Sequence, residues 1–152
     1  MVGRVSSKYA FTLSVLVLFV VCLTSAIQSG MIGGFTERDA NDTEYMDRAW
    51  KATKGVNDNA SNEGPNHMIP IKVIKAKSQV VAGVKHVFEV LFGESNCSKG
   101  TLLASELSPS NCQLKSNGRR ALYEIELWEK PWENFEQFNV KKLRNVEAGE
   151  NI

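Results

Sequence analysis

Three cysteines, Cys22, Cys97 and Cys112, and two histidines, His67 and His86, are the side chains of this 152-residue sequence best suited to nucleophilic or metal chemistry. Neither use fits them. Only the two histidines are available to join the cysteines in a zinc set, and neither stands at ligand spacing. A catalytic thiol lacks a partnered base. The chain therefore reads as a non-enzyme that needs no cofactor and no metal. What remains is the chemistry of surfaces, at three short stretches. Val80-Val81-Ala82-Gly83 falls where two strands reverse, Pro131-Trp132 where two others do, and Met31-Ile32-Gly33-Gly34 lies on an uncharged, glycine-rich segment. Hairpin tips ordinarily carry Asn, Asp and Gly, which water solvates well. A valine pair and a tryptophan in those places expose apolar area, the mark of a surface that meets another molecule.

The elements that must present these stretches follow from patterning. Arg4 and Lys8 precede an apolar run at 10–23, and Thr24 and Ala26 are small residues at the positions a signal peptidase reads. Residues 1–26 are thus expected to be a signal peptide. The alternative is a membrane anchor, for which the apolar run is short of the roughly 20 residues a span requires. Removal of this segment leaves 16 basic and 17 acidic side chains, a net charge of −1. Scattered charge of this kind excludes nucleic acid or an anionic membrane as the main partner, since either favours a clustered cationic face. Cys22 leaves with the leader, and the remaining pair, Cys97 and Cys112, reads as one disulfide in an exported chain. It would close a loop of about 15 residues, worth roughly 3 kcal/mol in the chain-entropy treatment.

Residues 27–152 are read as one domain whose first part, 27–36, is a flexible arm. Asn41 or Asp42 is suited to cap a helix in which Met46, Ala49, Trp50, Thr53 and Val56 share a face. Gly55 weakens its last turn, and residues 56–66 form a polar connection. From Met68 the period becomes two. Ile69, Ile71 and Val73 are expected on one face, with a phase slip near 73 or 74 that indicates a bulge. A second strand alternates from Val84 to Phe92, residues 93–118 read as a long loop, and a third strand spans Arg120 to Lys130. Pro131 interrupts it as an exposed turn, and a fourth strand runs from Phe135 to Leu143. The expected fold is α+β, an antiparallel sheet wrapped around one helix.

These motifs resemble a known family. Gln79-Val80-Val81-Ala82-Gly83 is similar to the Q-x-V-x-G motif of the cystatins, Pro131-Trp132 to their second-hairpin PW, and Gly33 to their N-terminal glycine. The stretches at 68–85 and 128–135 look most like secreted cystatins of parasitic nematodes. The resemblance implies a secreted, monomeric, reversible and tight-binding inhibitor of papain-like cysteine proteases, cathepsins of the L, S or B type. The arm and both tips would form a wedge that enters the protease cleft. Val80, Val81 and Ala82 would fill an apolar cleft, and Gly83 would allow the turn behind them. Trp132 would be the anchor, and Met31 and Ile32 would lie in substrate subsites. Vertebrate secreted members have a second disulfide that this chain lacks, Tyr123 standing where its first cysteine would be.

Ser61-Asn62-Glu63 is similar to a Ser-Asn-Asp loop through which some cystatins inhibit legumain, so Asn62 is either a second inhibitory site or part of an ordinary polar loop. Asn41, Asn59 and Asn96 head glycosylation sequons whose occupancy sequence does not decide. A different class of reading, a secreted immunomodulatory binding protein of the same fold without protease inhibition, stays open here.

Overall fold

The helix begins at Asp42, whose carboxylate accepts the Glu44 N–H at 3.0 Å and so satisfies one of the donors a helix start leaves open. The computed structural model describes residues 33–147 and 149–152. The segment 1–26 read as a leader, the part of the expected arm up to residue 32, and Met31 and Ile32 among the candidate site residues lie outside them. Helix α1 is Thr43–Lys51 and α2 is Thr53–Asp58. The two form one rod with a step at Ala52, whose N–H still donates to the Arg48 carbonyl at 3.0 Å. Thr53 Oγ1 donates back to the Ala49 carbonyl at 3.1 Å, a bond that tends to bend helices. Of the expected stripe, Ala49, Thr53 and Val56 are buried and Met46 packs at the core margin. Trp50 turns instead to a second cluster around Ile69, Leu107 and the disulfide, and Tyr45 takes its place in the main core.

Five antiparallel strands form one sheet in chain order: β1 Thr36–Arg38, β2 Asn66–Val81, β3 Gly83–Ser98, β4 Arg120–Lys130 and β5 Phe135–Val146. The helical rod covers one face, where Val73, Phe88, Phe92, Tyr123, Ile125 and Leu127 meet Tyr45, Ala49 and Val56. Burying each of these large side chains contributes about 1.5–3 kcal/mol. The α+β expectation holds, and Ala121, Tyr123, Ile125 and Leu127 share the inward face as their alternation requires.

Several boundaries differ from the sequence reading. A first strand, β1, begins at Thr36 inside the segment read as an arm, and pairs Thr36 with Ser78. Strand β3 continues through the supposed loop to Ser98, because Ser95 is buried and its hydroxyl donates to the His67 carbonyl at 2.8 Å. Polar groups thus replace the apolar period there. The helix absorbs residues 56–58. Three register shifts rather than one mark the β2–β3 pairing: near its start, from Asn66–Ser98 to Met68–Glu94, then from Pro70–Phe92 to Lys72–Leu91 and from Val73–Val90 to Lys75–Glu89, the last two adding a residue to β2. Each extra residue reverses the facing. Ile69, Ile71 and Val73 consequently do not share a face: Val73 joins the main core, Ile69 the disulfide cluster, and Ile71 and Ile74 pack outside the sheet against Leu91 and Leu122. Cys97 and Cys112 are bonded, with Cα atoms 5.8 Å apart.

Candidate functional site

Strands β2 and β3 reverse at Ala82, with Val81 opposite Gly83. Val80 is 74% exposed, and Val81 and Ala82 are also exposed at this tip. Gly83 has φ +109°, and a Cβ built there would lie 2.3 Å from the Glu129 carbonyl oxygen. No side chain fits at that point. The first tip therefore rests directly on the backbone of β4, at the base of the second tip.

The second tip is a single 3-10 turn, Pro131–Glu133, closed by Asn134 in a left-handed conformation. Proline suits the first position of such a turn, where its missing donor is not needed. Trp132 is 69% exposed, with its indole N–H 3.3 Å from Glu133 Oε1. At the other side of the first tip, the Gln79 side-chain amide donates to the carbonyl of Gly33, which has φ +102°. Gly33, Val80, Val81, Ala82, Gly83, Pro131 and Trp132 thus come together at one end of the sheet. Gln79 is part of the scaffold behind them rather than the exposed surface.

A buried polar cluster anchors that end to the helix. His86, only 8% exposed, has Nδ1 3.1 Å from the Tyr45 hydroxyl and Nε2 3.0 Å from Glu129 Oε1. Arg48 of α1 reaches the same Glu129 oxygen at 3.5 Å and pairs with Glu44 at 3.0 Å. Burial and the Arg48 charge hold the His86 imidazole below its ordinary value, with Glu129 opposing them. Burial likewise raises the Tyr45 hydroxyl. A neutral His86 fits both contacts, its Nδ1 accepting a hydrogen bond from the Tyr45 hydroxyl and its Nε2–H donating to Glu129. Glu129, Tyr45 and Trp128 are not singled out by the sequence, and His86 is weighed there only as a metal ligand. One signal pointed to two of them: a histidine on the inward face of β3, and a tryptophan on the outward face of β4 beside Glu124 and Glu126.

Asn62 does not belong to this end. It is 4% exposed and turned inward, its side-chain amide donating to Asn57 Oδ1 at 3.1 Å and toward the Val56 carbonyl at 3.4 Å. Lys99 caps its carbonyl at 2.6 Å. Asn57 in turn binds the Met68 N–H and carbonyl at 2.7 and 2.9 Å, so Asn62 is one link of a network fixing the helix end to β2. Of the two readings of Asn62, the second inhibitory site would need this buried side chain to turn outward. Asn41 and Asn96 are exposed, whereas the Asn59 side chain is partly buried and folded over Ser61. A cavity of about 670 Å³ lies at this far end, and its Arg119, Arg120 and Lys142 are accompanied by Glu147.

The family profile described as Cystatin domain matches residues 33–145. The chain belongs to the cystatin family. Cystatins inhibit cysteine proteases and are not enzymes, and the papain-like class of protease is the partner the family implies. This cystatin is 44% identical over 138 residues to Cystatin cpi-1 of Caenorhabditis elegans, covering 90% of this chain and 96% of that one. It is 33% identical to Onchocystatin of Onchocerca volvulus over 116 residues, 76% of this chain and 69% of that protein. Among solved structures, Al-CPI matches with a TM-score of 0.60 and 38% identity, over 75% of this chain and all of that one.

Proposed function

We propose that this cystatin is a secreted, reversible, tight-binding inhibitor that blocks the active-site cleft of cathepsins of the L, S or B type with a three-part wedge. Residues 1–26 act as the signal peptide, and 27–152 form the single inhibitory domain. Met31 and Ile32 enter the substrate subsites just before Gly33, whose bare backbone allows close approach; Val80, Val81 and Ala82 fill the apolar cleft, and Trp132 is the second anchor beside Pro131. The wedge occludes the catalytic thiolate without offering a peptide bond in attackable geometry. The observation that carries this reading is the exposure of Val80, Val81 and Trp132 on adjacent tips, with Gly33 bonded alongside. Both tips are held by the sheet, so little ordering entropy is lost on docking.

Trp132→Ala tests it. Truncating an aromatic anchor typically removes about 2 kcal/mol of binding, roughly a thirtyfold weaker complex expressed mainly as faster dissociation. Stopped-flow dissociation from cathepsin L measures this, and an unchanged rate would remove the second tip from the wedge. The reading as a binding protein without inhibition has no specific observation in its favour.

A legumain site at Asn62 is left out, because its side chain is committed inside the fold. The native protein is expected not to inhibit legumain, and Asn62→Ala is expected to lower folding stability by about 1–2 kcal/mol, because the buried amide's bonds to Asn57 Oδ1 and toward the Val56 carbonyl are lost while Asn57 keeps the Met68 N–H. Legumain titration and urea denaturation read the two effects; nanomolar inhibition lost in the variant would restore the second site.

A further inference from the structure

Trp128 occupies the outward face of β4, yet it touches both tips. Its indole N–H crosses to the first tip and donates to the Ala82 carbonyl at 3.0 Å. Its ring meets Phe135, the first residue after the second tip, edge-on at 5.3 Å. Lys130 lies over both rings, 4.8 Å from Trp128 and 5.4 Å from Phe135, while its ammonium pairs with Glu133 inside the second tip at 3.0 Å. One side chain therefore bonds the backbone of the first tip and packs at the root of the second.

We infer that Trp128 is a positioning residue for protease binding, a latch that sets the separation of the two tips before docking. This rests on the wedge reading above. The Ala82 carbonyl sits at an exposed turn outside the ladder, where water satisfies it as readily as the indole does. Losing the bond therefore alters the energy of the free protein little. It leaves the Val80–Ala82 tip tethered only through Gly83 and the hairpin itself, and the tip must then be ordered when the complex forms, at the expense of affinity. Phenylalanine is the informative replacement, because it keeps an aromatic ring against Phe135 and Lys130 while removing the indole N–H together with the fused second ring.

The experiment compares the native protein and Trp128→Phe for urea midpoint, for backbone order parameters of residues 80–83 by nitrogen relaxation, and for dissociation from cathepsin L. The expected result is an unchanged midpoint, lower order at 80–83, and dissociation faster by about fivefold, the loss of one hydrogen bond's worth of preorganisation. A native protein that inhibits and a variant that matches it in dissociation would overturn the latch alone. Faster dissociation with unchanged order at the tip would also overturn it, since Trp128 would then be touching the protease directly. A native protein that fails to inhibit would bring down the wedge reading, and this inference with it.

Discussion

Gly83→Ala is expected to weaken inhibition of a papain-like protease by at least about a hundredfold while leaving the fold recognisable. Two independent obstacles meet at this residue. Its φ of +109° is one that L side chains rarely adopt, and the added Cβ would sit 2.3 Å from the Glu129 carbonyl oxygen and 3.0 Å from Lys130 Cγ. Lys130 has some freedom to move. Glu129 has little: its backbone is paired with Val84, and its carboxylate is held by His86 and Arg48. The strain of roughly 1–3 kcal/mol is therefore relieved only by re-forming the first tip or lifting it off the second. Either movement separates surfaces that must enter one cleft together, whereas the core beneath Phe88 and Ile125 is untouched. Equilibrium titration against active-site-calibrated papain, beside a far-ultraviolet spectrum of the variant, gives the comparison. A variant that inhibits like the native protein would mean that the closeness of the two tips is irrelevant to binding.

Such a prediction was within reach of the sequence only in part. Gln79-Val80-Val81-Ala82-Gly83 and Pro131-Trp132 are legible because apolar residues at reversals contradict what water favours there, and the slip after Val73 is legible because a bulge inverts the alternation. Strand β1 is not: Thr36, Glu37 and Arg38 are all exposed, and they are strand only through pairing with β2 and the Arg38–Ser78 bond of 2.8 Å. The stretch Glu94–Ser98 escaped for a related reason. It is held by polar groups bonded to partners far away in sequence, and no period records such a bond. Asn62 shows the reverse, since nothing in its polar loop indicates that its side chain is buried against Asn57 with its carbonyl held by Lys99. Local chemistry reveals what a residue offers; long-range pairing decides which way it points.

Glu94 makes that point measurable, at the end of the sheet farthest from the tips. Burial pushes its carboxyl up, but the Asn66 amide at 2.8 Å, the Arg119 N–H and guanidinium at 3.3 and 3.2 Å, and the Lys115 charge more than reverse this, bringing it down to about 2. A folded value below the unfolded value of 4.5 means that the unfolded chain binds the extra proton first. The stabilisation is complete above the unfolded value and is lost as pH falls from there toward about 2. Its magnitude is at most ~3 kcal/mol. Glu94→Gln is accordingly expected to lower neutral-pH stability by an amount of this order, and the gap between variant and native protein is expected to shrink steadily as urea midpoints are taken from pH 6 to pH 2.5. Parallel curves across that range would show that the carboxylate charge contributes nothing to holding residues 114–119 against β3. Protease inhibition by the same variant is expected to stay at the native level. Ten residue steps along β4, about 33 Å of strand, separate Arg120 from Lys130, so the loop that Glu94 holds can loosen while both tips stay seated on Glu129 and Trp128.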